Sequence, residues 1–348
     1  MKRRDSKFEI IRILSMIFIV AYHYTMYGDW QDYNSVKIQF FRPFGQVGVA
    51  LFVMITGYFL AQKETTFTNA WHHIDKLWVK TLIYSWVILC CALIFHWGKF
   101  YKRDFLYARF PVIFDEYWFI TSYIVLILLT PLLNIPVRIF SKKDFFILIG
   151  IILIFADIVP FIKNDGTPNA PLGNMLSVGA MLAPYFIAGF IRKYNFKVKT
   201  WQACFVTMGG LILEYSSMLI LKHGIIGLDI ANFTFGLCPL ITAIGIFLVF
   251  LNLPSFNSRI INRIASGVLA TYLITEHPLF RIYFWHNLLH VNQFQYPFWK
   301  FVLMGILIAV MTVIICSFVD NVYEVGRKSL YFCIRHIHEN FYKRYSRK

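Results

Sequence analysis

The chain has 348 residues, of which 58% are hydrophobic and only 15% charged, and its mean hydropathy is +0.59. A water-soluble globular domain carries about 45–50% apolar and about 25% charged residues, so this composition excludes a soluble enzyme, a collagen-like fibre, a disordered chain and a small disulfide scaffold. Lys plus Arg number 34 against 18 Asp plus Glu, a formal charge of +16; in so apolar a chain that excess reads as cytoplasmic loops facing anionic headgroups, and nucleic acid is not an expected partner.

The N-terminus reads MKRRDSKFEIIRILSMIFIVAYHY. Its basic start and apolar run suggest a signal peptide. The run is too long for one, holds Arg12 and His23, and lacks a small-residue cleavage site, so an uncleaved first span is expected. A span of about 20 residues crosses the bilayer core. On that measure the apolar runs predict helices at 8–27, 44–62, 81–97, 117–139, 145–162, 175–191, 201–221, 233–251, 265–285 and 298–318. The expected fold is therefore all-α, a polytopic integral membrane bundle of about ten transmembrane helices over residues 1–318. A basic cytoplasmic tail over 319–348 follows and reads as a helix on the membrane surface. Phe, Trp and Tyr make up 19% of the chain, and many sit near span ends, as an interfacial belt requires. The six cysteines (Cys90, Cys91, Cys204, Cys238, Cys316 and Cys333) form no CxxC pair and lie mostly in apolar runs, so neither a metal site nor a disulfide framework is expected.

Basic residues set the orientation. With the N-terminus in the cytoplasm, 23 of the 34 Lys and Arg fall in inner segments and 8 in outer ones, with Arg12, Arg281 and Lys300 in or beside spans. The excess fits the positive-inside rule and puts both termini in the cytoplasm of a multi-pass cell-membrane protein. One outer loop, GKFYKRDFLYARF, runs against the rule with Lys99, Lys102, Arg103 and Arg109, and is a candidate contact for an anionic acceptor.

A charge inside a span costs at least about 2.5–3.5 kcal/mol, so it needs a partner or a purpose. Arg12 and His23 are eleven residues apart, which at 100° per residue puts them within about 20° of one stripe of the first helix, separated by about 16 Å along its axis. Glu9, three residues before Arg12, can pair with it; the plainer alternative has Arg12 snorkelling to headgroups and His23 bonded to a neighbouring backbone. In the ninth span, ATYLITEHPLFRIYFW carries Glu276, His277 and Arg281, with His277 and Arg281 at i and i+4 on one face and Pro278 loosening the helix. Glu214 and Asp157 read as packing or cavity-lining groups. Lys76 and Lys80, at i and i+4 near the start of the third span, could join Arg12 in a cationic pocket for phosphates, or be an ordinary positive-inside cluster. No P-loop, GxSxG, HExxH or dinucleotide glycine fingerprint occurs.

Arg12 and His23 bracket ten residues, a spacing that resembles the Arg/Lys-x10-His motif in the first helix of the acyltransferase 3 family. The likeness continues in order along the chain. GVALFVMITGY over Gly48 to Tyr58 resembles the family's G-x-x-F-F-x-x-S-G-[FY] motif, with Thr56 where Ser is usual. Lys76-x-x-x-Lys80 lies where members carry Arg-x-x-Arg, one residue longer and with Lys for Arg. YWFITSYIVLILLTPLLN over Tyr117 to Asn134 looks like the W-F-(x)n-P-L-L helix, and PYFIAGFIRKY over Pro184 to Tyr194 matches F-x-x-G-(x)n-[KR]. Ala270 to Arg281 resembles Y-L-I-H-[DE]-x-P-x-x-R, with Thr275 in place of the usual His.

The resemblance covers about residues 8–318. It implies a membrane O-acyltransferase that moves an acyl group, commonly acetyl, from cytoplasmic acyl-CoA to a carbohydrate acceptor, in a member without a fused SGNH hydrolase-like domain. Arg12, Lys76 and Lys80 would then bind the phosphates of acetyl-CoA, the acyl donor. His23 would act as general base or transient acyl carrier, and Glu276 or Glu9 would orient the imidazole. The implied partners are acyl-CoA, the carbohydrate acceptor and the lipid bilayer. A secondary transporter of a small anionic solute or glycan precursor is the alternative, since it too would hold buried charges and broken helices.

Overall fold

The structure, a computed structural model, describes residues 4–97, 101–155, 173–223 and 237–345, of which 173–177, 221–223 and 330–345 as backbone alone. Among the described residues every regular element is helical and no strand forms. Twelve α-helices follow in order: α1 Ser6–Tyr27, α2 Arg42–Leu60, α3 Phe67–Phe95, α4 Lys102–Arg109, α5 Trp118–Ile139 and α6 Lys142–Leu153, then α7 Gly173–Lys193, α8 Thr200–His223, α9 Leu237–Asn252, α10 Arg259–Thr275, α11 Pro278–Ile282 and α12 Phe298–Tyr345. Among the described residues six stretches are long and apolar enough to cross a membrane: α1, α2 with the turn before it (Ile38–Leu60), α3, α5, Thr200–Ile220 of α8 and Phe298–Ser329 of α12. The sequence-based count of ten adds α6, α7, α9 and α10, which fall outside that set.

Local chemistry explains where these helices begin. Asp5 caps α1 by accepting from the Lys7 N–H at 3.3 Å, and Glu9 places a negative charge in the first turn, where the helix dipole favours it. Ser141 and Asp144 form a reciprocal capping box at the start of α6. Thr66 caps α3 by accepting from the Asn69 N–H. Residues 67–80, read from sequence as part of a loop, are therefore helical. Ala70, Ile74 and Thr81 turn one face inward at helical spacing, while His72, His73, Asp75 and Lys76 between them face out. Lys76 and Lys80 consequently ride on α3 itself.

The first helix is the hub, packed against α2, α10 and α12; α2 in turn packs against α7 and α9. Two glycines make this possible. Gly48 and Gly57 are nine residues apart and so lie on opposite faces of α2. A Cβ on Gly48 would press into the Ser15 carbonyl of α1, and one on Gly57 into the Tyr185 carbonyl of α7. Without side chains the three backbones approach closely, the usual device for packing helices in lipid, where no hydrophobic force separates helix from solvent. Asn134 near the end of α5 locks the same corner: its amide donates to the carbonyls of Leu60 and Lys63, both at 2.9 Å, and its oxygen accepts from Tyr185 at 2.6 Å.

The ninth apolar run does not form one helix. α10 ends at Thr275 with Glu276 (φ −100°, ψ 0°) as its C-cap, and His277 (φ −62°, ψ 123°) leaves the helical backbone before α11 starts at Pro278. A residue preceding proline is pushed out of the α region by the pyrrolidine ring, and proline itself suits the first turn of a new helix. A π-helical turn, Tyr283–Leu288, follows α11. At the other end of the chain, α12 runs unbroken past residue 318 to Tyr345, so the backbone shows no division between the last span and the tail.

Candidate active site

His23 sits in the last turns of α1, buried, and Glu276 reaches it from the break between α10 and α11. The imidazole Nδ1 lies 2.9 Å from the Glu276 Oε1, with the two side chains 6% and 7% exposed. The ring does not aim at the oxygen and neither atom has an aligned hydrogen-bond partner, so the contact is electrostatic and a small ring rotation would convert it to a hydrogen bond. Among the described residues the opposite nitrogen, Nε2, makes no hydrogen bond and is not sealed off. The second Glu276 oxygen accepts from the Tyr27 hydroxyl at 3.1 Å, and that hydroxyl accepts from the Arg281 Nη1 at 3.2 Å. The Arg281 guanidinium lies 4.6 Å over the Tyr27 ring and 3.9 Å from the Glu276 Oε2. His286 closes the group, its Nε2 2.7 Å from the Tyr27 carbonyl.

The break that delivers Glu276 to His23 sends its neighbour the other way. His277 is fully buried and caps α11, its Nδ1 accepting from the Leu279 N–H at 3.2 Å. Nδ1 is thus the acceptor nitrogen, and Nε2 carries the proton in the neutral ring. That Nε2 lies 3.4 Å from the Ser85 Oγ of α3 and 3.6 Å from the Glu116 Oε1 of the α4–α5 connection, while Ser85 lies 3.1 Å from the Glu116 Oε2. The Glu116 side chain is 3% exposed. Burial pushes its carboxyl up to about 7, with the Ser85 hydroxyl opposing the rise and Asp104 adding to it. His277 and Arg281 keep their i, i+4 backbone relation, but they serve different clusters and do not share one face of a continuous span.

A third group of charges lies toward the end where α1 begins. Arg12 Nη1 pairs with Glu9 Oε1 at 2.6 Å, and its side chain is 32% exposed. It is also within electrostatic reach of Tyr123 on α5, whose hydroxyl shares a 3.0 Å hydrogen bond with Thr56. Lys80 Nζ pairs with the buried Asp320 of α12 at 2.6 Å, and Tyr84 donates to the same oxygen at 2.8 Å. Lys76 is exposed. Of the three cations read as a phosphate pocket, Lys76 thus has the most open ammonium, Lys80 holds a local counter-ion, and Arg12 keeps most of its five N–H donors beyond Glu9. Thr275, which occupies the family's His position, is buried and donates back to the Thr271 carbonyl at 2.9 Å. Glu214 on α8 is buried with its Oε2 unpartnered; Asp157 lies outside the described residues. Among the described residues no three His, Cys, Asp or Glu side chains gather as a metal ion would need.

Four contributors escape sequence reading. Tyr27 is the most accessible of them, four residues after His23 and so on the same stripe. Asp320 interrupts an apolar run, which marks it as costly. Ser85 and Glu116 carry no signal of their own, because their roles depend on contact with a residue about 160–190 positions away.

No curated protein and no solved structure matches the chain. One family model does, that of the acyltransferase 3 family, described as an acyltransferase domain, over residues 5–320. The match spans the whole of α1 through the Lys80–Asp320 pair and takes in every cluster described above. The match covers nearly the whole of an all-helical bundle with membrane-length helices, and the chain belongs to the acyltransferase 3 family of membrane acyltransferases.

Proposed function

We propose that this protein moves an acetyl group from cytoplasmic acetyl-CoA to a hydroxyl of a cell-surface or lipid-linked polysaccharide, in the cell membrane and with both termini in the cytoplasm. The observation that carries this reading is the buried contact between His23 Nδ1 and Glu276 Oε1. A carboxylate on Nδ1 favours the tautomer whose Nε2 lone pair is free, and it stabilises the imidazolium that forms when that lone pair takes a proton. The sugar hydroxyl gives its proton to Nε2 as its oxygen bonds to the thioester carbonyl carbon. The tetrahedral intermediate collapses with cleavage of the C–S bond, and the departing sulfur takes the proton from the imidazolium. Arg12 and Lys76, with Lys80 behind them, supply positive charge for the phosphates of the donor at the cytoplasmic mouth. Arg281 and Tyr27 hold the far oxygen of Glu276, so the carboxylate remains aimed at His23.

The broken helix at Glu276–His277 is a feature that a transporter would also use. Membership of an acyltransferase family favours transfer chemistry over transport. The test replaces His23 and Arg12 separately by Ala, confirms membrane expression, and measures O-acetyl on surface polysaccharide by mass spectrometry. Loss of acetyl in both supports the reading, and an unchanged acetyl level in both ends it.

A further inference from the structure

Glu276 acts on His23 from the last rung of the α10 ladder: its own N–H still donates to the Tyr272 carbonyl at 3.0 Å, but the next peptide turns out of the helix at His277. Something else must fix that peptide. The entry into α5 does so at three of the four positions 116–119. Tyr117 donates to the Leu273 carbonyl at 3.0 Å, the Phe119 N–H donates to the Tyr272 hydroxyl at 3.4 Å, and Glu116 lies against His277. Ser85 joins the same cluster from α3, and lies 3.1 Å from the Ala108 carbonyl of α4 as well as from Glu116. The outer connection and α3 thus grip residues 272–277, and only one peptide bond separates His277 from Glu276.

We infer that Glu116, with Ser85 and His277, is a positioning group for the acyl-transfer site: it anchors the helix break so that the Glu276 carboxylate stays on the His23 imidazole. The inference rests on the proposed base role of His23. The groups facing the cluster are few. Ser85 comes from α3, Asp104 acts from α4, Arg281 from α11, and the Tyr117 ring stands 6.0 Å from His277. None is a competing counter-ion within hydrogen-bond distance of His277 Nε2. Removing Glu116 therefore leaves the His277 N–H with Ser85 alone, and frees the backbone that carries Glu276.

The test uses the full chain in lipid nanodiscs, with acetyl-CoA and the glycan fraction extracted from the source membranes, and follows thiol release per folded molecule. The variants are Glu116→Gln, His277→Asn, Ser85→Ala and the double Glu116→Gln/His277→Asn. Asn keeps an N-cap acceptor for α11, so His277→Asn removes the Glu116 contact while sparing the cap. Each single variant is expected to lose about tenfold in kcat, with the KM for acetyl-CoA unchanged. The acidic limb of the pH–rate profile moves to lower pH by about half a unit, because an imidazole that loses its carboxylate holds its proton less tightly. The double variant is no worse than the worse single, since the groups act as one unit. A folded Glu116→Gln protein with wild-type kcat and an unmoved limb overturns the inference, as does a loss confined to the amount of folded protein. If the two main variants do not fold, Ser85→Ala decides by the same criteria. A fully active His23→Ala protein overturns the base reading itself, whereas a silent Glu116→Gln beside an inactive His23→Ala overturns the positioning alone.

Discussion

The charged groups at the two ends of α1 are built differently. Near its start, Glu9 pairs with Arg12 three residues away on the same helix, at a side chain that is one-third exposed. Near its end, His23 meets Glu276 in nearly complete burial, and Tyr27 meets the partly exposed Arg281, each across about 250 positions of sequence. A local pair assembles whenever its helix forms and asks little of the rest of the molecule. The distant cluster exists only if α1, the α10–α11 break, α11 and the π-helical turn after it all reach their places, because each supplies one or more of its members. On the proposed function, that dependence suits each end to its task, a partly open cation for a charged donor and a buried imidazole whose surroundings are determined by the whole fold.

The contrast can be broken most forcefully where the two designs meet, at Lys80 and Asp320. This pair is buried and distant in sequence although Lys80 belongs to the proposed donor pocket. Lys80→Ala leaves Asp320 without its cation and should destabilise the protein by about 3–5 kcal/mol, whereas Lys80→Met combined with Asp320→Leu should recover most of that loss. Thermal unfolding in detergent micelles reads both, and a Lys80→Ala protein as stable as the parent would show that the pair is worth no more than a surface one. Next in size, Glu276→Gln keeps the shape of the contact but not its charge, and should lower the rate of acetyl transfer by about 10²-fold while leaving donor binding intact. Arg12→Ala should do the reverse and chiefly raise the KM for acetyl-CoA; if the two variants fail in the same parameter, the division of labour along α1 is wrong.

Smaller effects sharpen the same picture. Gly57→Ala would drive a methyl group into the Tyr185 carbonyl, and overpacking of this kind costs about 1–3 kcal/mol, measured again as thermal stability. At Gly150, where nothing lies within 4 Å of an added Cβ, the same substitution should be neutral or slightly stabilising. The least effect concerns pH. Glu116 holds its proton up to about 7, against an ordinary 4.5. Its folded pKa is raised, so its contribution to stability is complete below about 4.5 and is lost as the pH climbs through about 7. Glu116→Gln removes the titration, and its melting temperature should fall less than that of the parent between the acidic and the alkaline side of that window. Equal slopes for the two proteins would show that Glu116 is solvated.

Hydropathy made much of this architecture legible, because burying a backbone in lipid demands long apolar helices and leaves few other solutions. Arg12 and His23 stood out for the same reason: a charge or an imidazole in such a run is conspicuous, and the 3.6-residue period puts both on one stripe. The Glu9–Arg12 pair followed from i, i+3 spacing. Lys76 and Lys80 were found as a pair but set in a loop, since the polar face of an amphipathic helix start looks like a loop to a hydropathy window. Pro278 announced a weakness in the ninth run. It did not announce that the chain would break there completely, or that Glu276 and His277 would part to opposite sides.

By itself, then, the order of residues determined a helical membrane protein, the place of its longest spans, and the polar side chains too costly to be accidental, because each of these depends on properties within one turn or one span. The pairing of those side chains was decided only in three dimensions. Glu276 belongs to His23, Asp320 to Lys80 and Glu116 to His277 because the packing of α1, α3, the α4–α5 connection, the α10–α11 break and α12 brings those segments together. Distance between helices depends on packing, and packing has no period that can be read along a chain.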